Sequence, residues 1–539
     1  MSNRIQIYDT TLRDGAQGEG VSFSPSGRIR LAKRLDAFGV DYIEGGYAAS
    51  NPADMAFFTD IRKAKLSHAK IAAFGSTRRA NVAVTEDPGT RALLDAETEV
   101  VTVFGKSWRL HVHDVLKTTE EENRAMIRDT VRFLKEQGRE VVYDAEHFFD
   151  GYRDSPEHAM DTLRAAAEAG ADILVLCDTN GGCMPHHIRD IVTHVSKAFP
   201  TPLGIHAHND SECGVANSLE AIRAGAIHVQ GTINGYGERC GNANLISIVP
   251  SLILKLGKKC LADDGLRQLK DVSSITHELT NHRPNRKAPF VGDSAFAHKA
   301  GMHVDGVRKN PASFEHIDPS QVGNDRRILI SELSGGSNVF LKAIELGHHL
   351  ERNSEEVANI RKQLELLEQQ GYEFEAAEAS FQLMMQKVLK KHKSFFSLDG
   401  FRVIVERRRA DEPCISEATI KVSVSGESAH FVGEGDGPVD ALAHALRSAL
   451  STFYPEVANV YLTDYRVRIL DPEEATAAKT RVLIESSDGT ESWSTVGVSE
   501  NIIEASLEAL FDSVEFKLLR LEQEATSNTP GDDAVGSPG

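Results

Sequence analysis

The chain has 539 residues, with 60 Lys and Arg against 79 Asp and Glu, a net charge of −19. That length predicts roughly two to four domains, and the acidic balance argues against a nucleic-acid or anionic-membrane surface, leaving small molecules as the expected partners. Six cysteines, at 177, 183, 213, 240, 260 and 414, show no paired metal-type spacing and read as reduced thiols. No run reaches the ~18 consecutive apolar residues of a membrane span, and Met1 leads directly into a strand, so a cytoplasmic protein is expected.

From about residue 5 to residue 234, β-rich runs alternate with amphipathic helical stretches eight times over. The runs are 5–9, 42–46, 70–75, 99–105, 140–146, 172–178, 203–208 and 228–234. Between them the periodicity is helical: Ile29, Leu35 and Phe38 recur at three- and four-residue multiples after a Ser-Pro-Ser start. Eight strand-helix units predict an α/β protein with a (β/α)8 TIM barrel over residues 1–257. A doubly wound sheet fits less well, because no Gly-x-Gly-x-x-Gly follows the first strand. The polar residues gather at the C-terminal ends of the runs: Asp9 to Gln17, Glu44, Asp144 to His147, Asp178 to Asn180, His206 to Asp210 and Asn234 to Asn242. In a barrel that end carries the active site.

Residues 258–400 read as a helical connecting subdomain, with Val357, Ile360, Leu364 and Leu367 on one helix face and Met384 and Met385 as core filler in the next helix. From 401 to 522 an internal repeat emerges. Val432-Gly433, followed by Val439, Ala441, Ala445 and Leu446, returns 64 residues later as Val496-Gly497, Ile503, Ala505, Ala509 and Leu510. Each half reads as strands and then one helix, a duplicated α+β domain suited to pairing as a homodimer. The tail, 523–539, is Ser, Thr, Pro, Gly and Asp without periodicity and reads as disordered.

His206 and His208 stand two apart at a strand end, so both imidazoles face one side. A bare His-x-His is weak, but Arg13 and Asp14 at the end of the first strand add a carboxylate and a cation. Asp14, His206 and His208 then form one face of a divalent-metal site with positions open for a bidentate ligand such as a 2-oxo acid. Two histidines and one carboxylate also describe a non-haem iron oxygenase, a rival that the barrel organisation disfavours.

Thr11-Leu-Arg13-Asp14-Gly-Ala-Gln17, His206-Ala-His208-Asn-Asp210 and Gly231-Thr-Ile-Asn-Gly-Tyr-Gly237-Glu-Arg239-Cys-Gly241-Asn242 closely resemble the acetyl-CoA-dependent 2-isopropylmalate, homocitrate and citramalate synthases. Glu44-Gly-Gly-Tyr-Ala-Ala-Ser-Asn51-Pro, Phe104-Gly-Lys-Ser-Trp108 and Tyr143-Asp-Ala-Glu146-His-Phe-Phe-Asp150-Gly look most like the citramalate branch. The resemblance implies an acyltransferase that joins acetyl-CoA to pyruvate and hydrolyses the thioester, in isoleucine biosynthesis. It further implies that Asp14, His206, His208 and Asn242 ligate a divalent ion, with Mg, Mn, Zn and Co all open. By the same resemblance Thr179 holds the 2-oxo acid carboxylate, Arg13 steadies the developing oxyanion, Gln17 contacts substrate, and Glu146 and His303 move protons. The duplicated domain would take an amino-acid effector, with isoleucine expected. Three positions depart from the family pattern: Arg28 replaces a usual Lys, Glu212 a usual Gly, and Phe314 a usual Tyr. The competing readings are a synthase using a longer 2-oxo acid, a metal-dependent acyl-CoA lyase, and an inactive barrel that only senses an amino acid.

Overall fold

The computed structural model describes residues 4–49, 52–261, 265–329, 336–348, 350–352, 354–407, 409, 414–470 and 478–527. Two compact units divide them: residues 1–296 with 315–327, and residues 297–314 with 328–539.

The first unit is a closed barrel of eight parallel strands in sequential order. The strands are β1 (Gln6–Asp9), β2 (Tyr42–Tyr47), β3 (Lys70–Ser76), β4 (Val100–Lys106), β5 (Glu140–Glu146), β6 (Ile173–Asp178), β7 (Leu203–Ala207) and β8 (His228–Gly231). The expected (β/α)8 architecture therefore holds. Local chemistry sets the helices that alternate with them. In Pro25–Phe38 the Ser24 hydroxyl accepts the Gly27 N–H, Pro25 opens the first turn, and Gly39 in the left-handed region ends the last one. The inner wall is filled by Tyr8, Tyr42, Ala72, Val100, Val142, Ile173, Val175 and Cys177, so the barrel is a packed core rather than a pore.

One element is shorter than the periodicity predicts. β8 stops at Gly231, because the Ile233 N–H is captured by the Thr11 hydroxyl at 2.8 Å and the chain turns through Asn234 at φ 62°. The helix after it, Leu245–Pro250, widens into a π-turn over Ser251–Lys255 at Pro250, which has no N–H to donate.

In the second unit, the helices Gly336–Glu345, Glu355–Gln369 and Glu378–Val388 share a core that buries Val357, Ile360, Leu364, Met384 and Met385. Two three-stranded antiparallel sheets follow. Ser397–Glu406, Ile415–Val424 and Glu427–Gly435 precede the helix Pro438–Ser451, and Tyr461–Ile469, Thr480–Ser487 and Ser492–Ser499 precede the helix Ile502–Ser527. The repeat read from the sequence is thus a structural repeat. The last helix runs past 522, and residues 528–539 of the expected tail lie outside those described. No helix among the described residues is long and apolar enough to cross a membrane.

The small residues of the repeat have a packing reason. A Cβ on Gly433 would stand 2.5 Å from the Ala445 nitrogen, and one on Gly497 would stand 2.1 Å from the Ala505 carbonyl oxygen. Glycine in the strand against alanine in the helix lets each helix lie directly on its sheet. Gly497→Ala should therefore push the helix Ile502–Ser527 outward and destabilise the domain by about 1–3 kcal/mol, read as a lower midpoint in denaturant unfolding with unchanged slope.

Candidate active site at the barrel mouth

Past β1 the chain folds over the end of the barrel. The Asp9 carboxylate accepts the Thr11 N–H at 3.0 Å and the Thr11 hydroxyl at 2.9 Å, and the Gly15 N–H reaches the Thr10 carbonyl at 3.0 Å. This turn delivers Arg13 and Asp14 to the strand ends where β7 presents His206, with His208 one residue beyond. Asp14 Oδ2 lies 3.4 Å from His206 Nε2 and 3.9 Å from His208 Nε2, and the two Nε2 atoms are 3.3 Å apart. One donor atom from each residue thus falls within a 4.8 Å circle, and all three side chains are buried.

Protonation suits a cation. His206 Nδ1–H donates to Gln230 Oε1 at 2.9 Å, which turns the Nε2 lone pair inward, and Gln230 is itself held by donating to Asp144 Oδ1 at 2.9 Å. Burial lowers the His206 pKa, and burial with the neighbouring His206 brings His208 down to about 4, so both rings stay neutral. Burial pushes Asp14 the other way, but Arg13, His206 and His208 outweigh it and hold the carboxyl at about 2. Two neutral imidazole nitrogens and a carboxylate oxygen pointing at one spot repel one another unless a cation lies between them.

Asn242 offers a further oxygen. Its Nδ2 donates to the Tyr236 carbonyl at 3.0 Å, which leaves Oδ1 buried with no protein partner. The loop that carries it needs glycine at two places. Gly241 has φ 85° and a Cβ there would stand 1.9 Å from the Gly235 oxygen, while Gly237 has φ 147° and its Cβ would stand 2.3 Å from Asn242 Nδ2. The residues present therefore fit a divalent ion held by one carboxylate, two imidazoles and one amide oxygen.

Arg13 is fixed from three sides. Its Nε donates to Glu44 Oε2 at 2.6 Å, Nη1 lies 3.3 Å from Asp14 Oδ2, and the guanidinium sits 3.7 Å above the Phe74 ring. Burial works against its charge, but Glu44 and Asp14 more than offset that, and its pKa is raised. Arg13 and Gln17 line one cleft of about 450 Å³ with Leu12, Phe23, Arg28 and Tyr47. Arg28 keeps the cation of the usual Lys and pairs with Asp54 at 2.7 Å.

Thr179, just past β6, accepts the His147 N–H on its hydroxyl oxygen at 2.9 Å and keeps its own O–H to donate. Glu146 closes β5 and pairs with Lys106, its register partner at the end of β4. His303 belongs to the second unit, where it lies in the helix Gly301–Lys309 with its ring stacked 4.3 Å from that of Phe314. Glu212 has φ 56°, which explains why a glycine is usual there. Three contributors escaped the sequence reading in these roles: Gln230, Lys106 and, as the anchor of Gln230, Asp144. Only a lone amide beside Val229 in β8 hints at Gln230.

Residues 4–273 match the HMGL-like family, 290–371 the homocitrate synthase post-HMGL domain and 375–518 the LeuA allosteric (dimerisation) domain. An HMGL-like barrel followed by these two modules defines a class of barrel enzymes with an appended allosteric domain. The chain is 52% identical to the (R)-citramalate synthase of Geobacter sulfurreducens, over 96% of its own length and 98% of the relative's. It is 51% identical to that of Aquifex aeolicus, over 97% and 99%. Against the 2-isopropylmalate synthase of Methanocaldococcus jannaschii the identity is 30%, over 97% and 96%. The chain belongs to the (R)-citramalate synthase family.

Removing the Gln230 or the Asn242 amide should weaken the hold on a divalent ion without unfolding the barrel. Gln230→Leu and Asn242→Ala should each weaken divalent-ion binding about 10- to 100-fold, measured by titration calorimetry on chelator-stripped protein, with circular dichroism unchanged.

Proposed function

We propose that this chain condenses acetyl-CoA with pyruvate and hydrolyses the resulting thioester, releasing citramalate and CoA. The observation that carries the reading is the three-donor cluster of Asp14, His206 and His208, with the unpartnered Asn242 Oδ1 as a fourth oxygen, beside a largely buried, charged Arg13. Bound there, a divalent ion would polarise the keto group of a chelating 2-oxo acid. The chain's own groups supply the rest. The Arg13 guanidinium, held rigid by Glu44, offers a fixed positive charge where the keto oxygen becomes an alkoxide. The free O–H of Thr179 donates to the carboxylate of the 2-oxo acid. Glu146 takes a proton from the acetyl methyl group, with Lys106 holding its carboxylate in place. The assignment of a proton-transfer role to His303 rests on the family resemblance.

Beside Arg13 the barrel mouth carries a cluster of aromatic rings. Phe74, beneath Arg13, stacks on Phe104 with ring centroids 5.2 Å apart, and Tyr47 packs edge-on to Phe74 at 5.8 Å. Such rigid rings suit a methyl group better than a branched chain. In a thiol-release assay pyruvate should exceed 2-oxoisovalerate in kcat/KM by about 10- to 200-fold per excluded group. Equal use of the branched acid would move the protein to the longer-chain reading.

The LeuA-type region supports regulation and pairing. The strands Ser397–Glu406 and Tyr461–Ile469 are sheet edges that leave Phe401, Ile404, Val405, Val467 and Ile469 exposed. Bare apolar edges of this kind call for a cover, and a second copy of the chain provides it in a homodimer. Isoleucine is the proposed effector of that domain. Ile404→Glu with Val467→Glu should shift the protein to monomer in light scattering and abolish inhibition by isoleucine, whereas wild type should be a dimer that isoleucine inhibits.

A further inference from the structure

The proposed reaction needs two separate proton transfers. One removes a proton from the acetyl methyl group, and the other activates a water molecule that cleaves the thioester. Glu146 serves the first. A second cluster of titratable groups stands beside it at the ends of β4 and β5 and has no part in the chemistry described so far.

His147 lies at its centre. The residue is buried and has φ 55° and ψ 33°, a left-handed conformation that a side chain with a Cβ avoids unless its surroundings impose it. The surroundings do impose it. Its N–H donates to the Thr179 hydroxyl oxygen at 2.9 Å, and its Nδ1–H points to Asp150 Oδ2 at 3.3 Å. Asp150 is anchored in turn by Arg153 at 2.6 Å and Asn180 at 2.9 Å. The ring is walled by His111, with centroids 4.2 Å apart, and by Trp108 at 5.7 Å. Although His147 precedes the helix Phe148–Asp154, its side chain makes no capping hydrogen bond there, so helix initiation does not account for the imidazole. Nε2 makes no hydrogen bond among the described residues, and the neighbouring His111 Nδ1 is buried without a partner. Burial, with His147 and Lys106 nearby, keeps His111 neutral.

A carboxylate that fixes one imidazole nitrogen and leaves the other free is the arrangement of an oriented general base. We propose that His147, oriented by Asp150, is the base that activates water for thioester hydrolysis, an inference that rests on the reaction proposed above. Nε2 takes a proton from water as the oxygen adds to the thioester carbonyl carbon. The tetrahedral adduct collapses with cleavage of the C–S bond, the imidazolium returns its proton to the CoA sulfur, and the new carboxylic acid ionises to solvent.

The test is a rapid-quench first turnover of the intact, metal-loaded enzyme with acetyl-CoA and pyruvate, with the condensed thioester, free CoA and citramalate each quantified by mass spectrometry. His147→Asn keeps a residue that tolerates the left-handed backbone. In this variant the condensed thioester should accumulate while CoA release falls about 10²- to 10⁴-fold. Asp150→Asn, which leaves the ring in place, should accumulate the same thioester to a smaller extent and carries the test if the first variant does not fold. CoA and citramalate formed together at the wild-type rate, or a joint loss of both steps with no thioester accumulation, would overturn the role. If wild-type enzyme itself forms no citramalate from these substrates, the reaction reading fails instead.

Discussion

A carboxylate with no exposure to solvent anchors the barrel mouth. Glu44 accepts the Tyr8 hydroxyl at 2.6 Å, the Thr10 hydroxyl and the Arg13 Nε, and Tyr8 in turn meets the Thr102 hydroxyl at 2.7 Å. The contacts tie β1, β2 and β4 together at one point. Burying a carboxylate costs several kcal/mol unless it is paired and its remaining hydrogen bonds are met, and Glu44 meets both conditions through Arg13 and the two hydroxyls. Because Arg13 is held, Asp14 is held, and because Asp14 faces the two imidazoles the donor set is assembled before any ligand arrives. Burial, and then Glu44 beyond it, push Asp144 well above the usual carboxylate range, so the anchor also tunes the group that steadies Gln230 and His206.

Much of this is legible in the sequence, and the limits have physical causes. Eight strand-helix alternations are visible because each unit repeats the same switch from strand to helix periodicity. The donor residues are visible because metal ligands must be His, Asp or a similar type at strand ends, where a barrel exposes side chains to one another. Gln230 is not legible as the group that orients His206, since its value lies in the distance to an imidazole on the next strand. Lys106 is hidden for the same reason: its pairing with Glu146 follows from the β4–β5 register rather than from any local motif. The end of β8 is misplaced by periodicity alone because the Thr11 hydroxyl, in the turn after β1 and 222 residues away, captures the backbone donor that would have continued it. The α+β repeat is legible because its small residues recur at the same offsets.

That repeat is held to one tolerance in its packing. The two halves have drifted apart along most of their length: Gly435 in one copy stands where Ser499 stands in the other, and Leu442 where Ser506 stands. At the crossing of strand and helix the drift has stopped, with Gly433 and Gly497 each pressed against the backbone of an alanine pair. Any substitution there would have had to move a helix and a sheet together in one step. The crossing points are therefore where the two halves share one packing rule, a helix lying flat against its sheet.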